Sequence, residues 1–228
     1  FGPGTISRLP ELVTSKGNRL LLITGARSLQ KSDPWSQLLN ELKKNSTRVY
    51  QATVETEPSP AMIDKIVTQN TDHNINIIAA IGGGSVMDAG KAVSAMMTKK
   101  ESVIEYLEGV GSRSHDGKKI PFIAVPTTSG TGSEATKNAV ISQLGKNGFK
   151  KSLRHDNFVP DIAIVDPELT LNCPSEITAA CGMDALTQLL ESLVSTQSSI
   201  FTDSLALGAL ENLGDSLIIA SGEDFIDI

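Results

Sequence analysis

Two loops carry the chemistry that residue type and spacing reveal. The first is Ile81-Gly-Gly-Gly-Ser-Val-Met-Asp-Ala-Gly-Lys91. It follows an apolar run and opens a stretch with helical spacing. Gly82, Gly83 and Gly84 let the backbone turn tightly and bring its N–H groups close to an anion. A helix beginning near Ser85 points its positive end at the same place. The implied ligand carries phosphate. A Walker loop does not fit: five residues rather than four separate Gly84 from Gly90, and Ala92 stands where a metal-binding hydroxyl is needed. The dinucleotide fingerprint GxGxxG does not occur either. A plain strand-to-helix turn would use the same glycines. Asp88 and Lys91, at i and i+3, can face each other on the helix. They read either as a surface ion pair or, for Asp88, as the border of a ligand pocket.

The second loop is Val125-Pro-Thr-Thr-Ser-Gly-Thr-Gly-Ser-Glu-Ala-Thr136. It too follows an apolar run. Its hydroxyls and glycines offer hydrogen bonds to phosphate, ribose or an amide. A solvated Thr/Ser-rich loop is the bland reading.

Several elements must position these loops. Apolar runs at Arg19 to Thr24, Thr47 to Thr53, Ile75 to Ile81 and Ile120 to Val125 read as strands. Helical spacing marks Pro34 to Asn45, Pro60 to Asp72 and Ser85 to Met97. This alternation predicts an α/β fold, a Rossmann-like parallel sheet covered by helices on both faces. Right-handed crossovers put the loops along one sheet edge, where ligands bind. Asn138 to Ser142, Lys151 to Arg154 and Asp161 to Val165 read as strands joined by short turns. Ser175 to Val194 and Phe201 to Ala220 read as helices with no strand between them. The domain reading is therefore 1–170, a nucleotide-binding α/β domain, and 171–228, the start of an all-helical domain.

Together the motifs resemble the iron-containing alcohol dehydrogenase family, with its dehydroquinate synthase-like fold. That family runs GGGSxxDxxK, PTTxGTGSE, PxxAIxDPxL and GxDAL in order. Here stand Gly82 to Lys91, Pro126 to Glu134, Pro160-Asp-Ile-Ala-Ile-Val-Asp-Pro-Glu-Leu169 and Gly182-Met-Asp-Ala-Leu186. Phe1-Gly-Pro-Gly-Thr5 looks like the family's N-terminal strand. The resemblance implies hydride transfer between NAD(P) and an alcohol or aldehyde, with a divalent metal polarising the substrate oxygen. It implies Gly83, Gly84 and Ser85 on the pyrophosphate, and Thr127 and Thr128 on phosphate or nicotinamide. Asn138 and Lys151 match positions lining the cofactor cleft, with Lys151 near ribose hydroxyls. A homodimer is implied as well. The PTTxGTGSE and DPxL motifs favour this branch over a dehydroquinate-synthase or glycerol-dehydrogenase type.

The family's metal ligands include an Asp and a His at i and i+4 on one helix face. Here Asp184 is present, but Gln188 takes the place of the His. A neutral amide oxygen is a poor partner for Fe²⁺ or Zn²⁺ beside imidazole. His73, His115 and His155 all precede Asp184 and read as ordinary polar histidines. The residues given therefore do not complete the family's metal site, and this chain alone is expected to be inactive. The alternative is a nucleotide-binding relative lacking metal and redox activity. Gly25 falls where NAD-preferring members carry a ribose-binding Asp, and Arg27 and Ser28 could receive a 2′-phosphate. NADP is thus favoured over NAD.

The formal net charge of −6 argues against a nucleic-acid partner. No apolar run reaches membrane-span length, and no signal-peptide pattern opens the chain. Two isolated cysteines, Cys173 and Cys181, suggest reduced thiols and a cytoplasmic protein. The start at Phe1 and the end at Ile228 read as those of a piece lacking residues at both ends.

Overall fold

A computed structural model describes residues 1–26, 33–146 and 148–222. The chain divides into two compact units, 1–127 with 133–169 and 128–132 with 170–228.

The first unit is a parallel sheet flanked by helices. In chain order its elements are α1 (Leu9–Lys16), β1 (Arg19–Gly25), α2 (Asp33–Lys44), β2 (Arg48–Val54), α3 (Pro60–Asn70) and β3 (Ile77–Gly82). There follow α4 (Gly84–Met96), β4 (Phe122–Pro126), β5 (Asn138–Gln143), β6 (Phe149–Arg154) and β7 (Ile162–Ala163). The strand order is β2-β1-β3-β4-β7, and every pairing is parallel. Central strands of such a sheet are covered on both faces, so they read as continuous apolar runs. Every residue of β3 and β4 is buried accordingly.

Side-chain alternation sorts the core into two layers. Leu21, Ile23, Ile78 and Ala80 face α3 and α4 and meet Ile63, Ile66, Ala89 and Val93 there. Leu20, Leu22, Ile77, Ala79 and Ile81 face the other way, with Leu9, Val13, Trp35, Leu38 and Leu42 from α1 and α2. Ser59 caps α3, accepting from the Met62 amide at 3.3 Å, and Pro60 follows at the first turn, where its missing N–H costs nothing.

The segment from Asp161 to Val165 contains a strand, as expected. Its short β7 joins β4 as a fifth parallel strand, while β5 and β6 form a separate antiparallel pair. Phe1 to Thr5 is not a strand. Thr5–Arg8 forms a 3₁₀ turn leading into α1. The buried Asp166 carboxylate fixes this turn, accepting from the amides of Gly4 at 3.1 Å and Ile6 at 3.0 Å. The strand expected there came from the family resemblance; a carboxylate more than 150 residues away holds the segment in a turn instead.

The second unit consists of the 128–132 loop and two helices, α5 (Ser175–Leu193) and α6 (Ile200–Ala220). Ser199 and Thr202 form a reciprocal capping box at the start of α6. Gly182 leaves room for Leu217 of α6, which sits where a Cβ would project. No described helix is long and apolar enough to cross a membrane.

Candidate functional site

The strand order places the two loops side by side. Gly82 at the end of β3 pairs in register with Pro126 at the end of β4, and the Thr127 amide donates to the Gly82 carbonyl at 2.9 Å. On the other side of β3 lies β1, with Thr24 beside Ile81 and Gly25 as its last residue. The strand order reverses at β1 and β3, because β2 lies outside β1. In open parallel sheets ligands bind in the crevice at such a reversal.

Three features make this crevice fit a phosphate. First, α4 begins at Gly84 with Gly83 as its N-cap, and no side chain caps it. The Gly83 carbonyl takes the amides of Val86 and Met87. The amides of Gly84 and Ser85 have no earlier carbonyl of the helix to bond. Second, the helix dipole adds positive potential there. Third, Gly82 cannot carry a side chain, since a Cβ would stand 2.6 Å from Cγ2 of Val86. Gly25 differs: a Cβ there would meet only the same Val86 methyl, at 3.6 Å. Arg27 and Ser28, the other residues of the 2′-phosphate expectation, lie outside the described residues.

Deeper along α4, Asp88 and Lys91 do not form an exposed pair. Lys91 is 2% exposed. Its Nζ lies 3.8 Å from the Asp88 carboxylate and donates to oxygens of Ser133, Thr136 and Asn138. Asp88 accepts from Ser133 Oγ at 2.7 Å and from the Val140 amide at 3.1 Å. Burial pushes the Asp88 carboxyl up, against the Ser133 bond and Lys91. Burial pulls Lys91 down to about 8, against Asp88 and Glu134. Sequence reading did not single out Lys91 or Ser133 as buried partners. The only local signal was an i, i+3 charge pair inside an otherwise apolar helix.

Asn138 opens β5, half-buried, and Lys151 lies exposed on β6 opposite Ile141. Lys151 Nζ stands over Gly109, 3.6 Å from where a Cβ would project. Thr127 is buried in the first unit, whereas Thr128 belongs to the second. The three histidines are engaged elsewhere. His73 stacks on Tyr50 at 4.2 Å, and His115 and His155 both contact the Phe158 ring. The His115 side chain is buried, where an ordinary polar histidine was expected.

In the second unit, Asp184 and Gln188 occupy adjacent turns of α5 and are both exposed. Gln188 Nε2 donates to the Gly130 carbonyl at 3.3 Å, so its amide is turned to the loop. Gly130 itself lies tight against Cys181, whose thiol is pushed up by burial and by Cys173. Among the described residues no group of three or more His, Cys, Asp or Glu could hold a metal ion. One carboxylate and one amide oxygen do not fit a divalent transition metal, which needs more and stronger donors.

Comparison with known proteins agrees with this geometry. The profile described as iron-containing alcohol dehydrogenase matches residues 1–167. Long-chain-alcohol dehydrogenase 1 of Geobacillus thermodenitrificans is 35% identical over 98% of this chain and 56% of its own. An NADPH-dependent butanol dehydrogenase of Clostridium saccharobutylicum is 34% identical over 95% of this chain and 55% of its own. Among solved structures, sulfoacetaldehyde reductase from Bifidobacterium kashiwanohense, in complex with NAD+, superposes with a TM-score of 0.88. It is 30% identical, over 98% of this chain and 58% of that one. The chain thus spans little more than half the length of the relatives it matches.

Proposed function

Because the chain belongs to the iron-containing alcohol dehydrogenase family, we propose that its sheet unit binds a nicotinamide dinucleotide for hydride transfer between NAD(P) and a small alcohol or aldehyde. The observation that carries this is the uncapped start of α4, set on a glycine turn at the sheet's reversal point. The amides of Gly84 and Ser85, with Gly83 giving close approach, would hold the pyrophosphate. Thr127 and Thr128 would meet phosphate or nicotinamide. Asn138 and Lys151 would border the ribose and nicotinamide side. Asp88, with both carboxylate oxygens engaged, would act beside the pocket by holding Ser133 and Val140. The bound nicotinamide supplies the hydride chemistry; the protein supplies position and electrostatics.

NADP is the favoured cofactor. Gly25 itself carries no carboxylate at the end of β1, so it does not repel a 2′-phosphate as an Asp there would. The name of the Clostridium saccharobutylicum relative agrees, while the Bifidobacterium kashiwanohense structure holds NAD+. Asp184 and Gln188 alone do not fit a metal, so no step of substrate activation is assigned to one. A homodimer in the cytoplasm completes the reading. Gln188, docked on Gly130, favours the second reading of a nucleotide binder without redox activity.

Nicotinamide fluorescence during titration of the full chain with NADPH and NADH tests the first part. Tighter NADPH binding is expected, and failure to bind either nucleotide would sink the proposal. Turnover with a panel of primary alcohols and aldehydes then separates the enzyme from the redox-inactive binder.

A further inference from the structure

Lys91 is among the largest fully buried side chains of the described residues, and its ammonium is surrounded by oxygen. Nζ donates to the carbonyls of Ser133 and Asn138, each at 2.7 Å, to Thr136 Oγ1 at 3.0 Å and to the Thr136 carbonyl at 3.2 Å. An ammonium has three protons, so these four oxygens share them. All belong to the stretch that carries the chain out of the second loop and into β5. One turn earlier, Asp88 holds the same stretch through Ser133 Oγ and the Val140 amide.

Burying charges in this way is costly until partners are found for them. The packing of α4 on the sheet does not call for that cost. Gly90, close against Ala80 and Phe122, already provides the helix's approach. The hairpin does call for it. A pair of strands outside the main sheet is marginal by itself. Its far end is tied to the start of α3, where the Ser142 amide donates to the Pro58 carbonyl at 2.8 Å and Glu57 receives Ser142 Oγ and Lys150. Its near end is tied by Asp88 and Lys91.

We infer that Lys91, together with Asp88, is a positioning residue for the nucleotide: it clamps the start of β5 to α4, so that Asn138, the first residue of β5, is set toward a cofactor held at the N-terminus of the same helix. The inference rests on the nucleotide reading above. One helix would then grip the pyrophosphate with its first turn and set the hairpin with its second and third. No cofactor-contacting group is lost when the clamp is removed; only its placement is.

The clamp also titrates. The charges facing Lys91 are Asp88 on α4, Glu134 after the second loop and Lys119 ahead of β4, while Lys150 of β6 acts on Asp88. Burial brings Lys91 to about 8. Above that pH a neutral amine keeps two N–H groups for four oxygens. Nucleotide affinity therefore falls as pH rises through about 8. Arg does not titrate in this range, so Lys91→Arg should flatten the profile.

The test measures Kd for NADPH and NADH on the full chain from about pH 7 to about pH 9.5, spanning the Lys91 transition, with melting followed by circular dichroism. The reduced nucleotides are chosen because they survive alkaline solution. Lys91→Met is expected to bind at least about tenfold more weakly, with no dependence on pH, a pattern that general destabilisation would not give. A folded Lys91→Met with wild-type Kd overturns the inference. Should that variant fail to fold, Thr136→Val decides, because it removes one acceptor and keeps the shape. Weaker binding there supports the clamp, and an unchanged Kd overturns it. Wild-type protein that binds neither nucleotide at pH 7 refutes the nucleotide reading itself, a result distinct from loss of the clamp.

Discussion

Replacing Gly25 with Asp should reverse the nucleotide preference. The site accepts the side chain: a Cβ meets one Val86 methyl at 3.6 Å, an ordinary contact, and Gly25 is not among the residues with left-handed φ. The new carboxylate would stand at the end of β1, beside the glycine turn of β3. Two unit charges about 4 Å apart repel by about 1 kcal/mol even in water, and a 2′-phosphate carries close to two charges. Repulsion of roughly 2 kcal/mol weakens NADPH about thirtyfold. A charged hydrogen bond to the NADH ribose adds about 1.5 kcal/mol, roughly another tenfold. The ratio of NADH to NADPH affinity should then rise at least about a hundredfold. Fluorescence titration of both proteins gives the ratio, and matching melting curves show that the fold is intact. A ratio within about threefold of wild type would mean that the ribose does not reach β1, and the assignment of Gly25 would be wrong.

Four other perturbations follow from the same geometry. Gly90→Ala puts a Cβ 2.7 Å from both Ala80 and Phe122, so it should lower stability by about 1–3 kcal/mol in a denaturant melt. Asp166→Ala leaves the amides of Gly4 and Ile6 without their acceptor, and a loss of about 2–4 kcal/mol is expected, with early proteolysis at the N-terminus. Gln188→His places an imidazole one turn from Asp184, and metal analysis of the dialysed full chain should show more bound zinc than wild type; equal content would remove α5 from the metal argument.

The fourth concerns pH. His115 accepts from the Gly117 amide at 3.0 Å through Nδ1 and packs against Tyr106 and Phe158. Burial, helped by Lys99, holds its pKa below the usual 6.5. The unfolded chain then takes up the proton first, so stability is full above 6.5 and declines as pH falls through it. His115→Phe should flatten that decline in melts taken between about pH 7 and about pH 5. An undiminished decline would assign it to other groups.

The sequence alone determined whatever depends on neighbours along the chain. Apolar runs became β1, β3 and β4 because a strand covered on both faces needs nothing but apolar residues. The glycine turn was legible because consecutive glycines between an apolar run and a helical stretch allow a tight strand-to-helix turn. The departure at Gln188 was legible because helical spacing fixes which residues share a face.

Tertiary structure decided the rest, through partners that local pattern does not encode. Asp161 to Val165 has the composition of any strand, and only packing beside β4 made its short β7 the fifth parallel member of the sheet. Asp166 turned the N-terminal segment into a 3₁₀ helix from more than 150 positions away. Lys91 looked like half of a surface pair because i, i+3 spacing is the same on an exposed helix and a buried one. The oxygens that justify burying it lie 42 to 47 residues further along, and bringing them to one ammonium required the folded sheet.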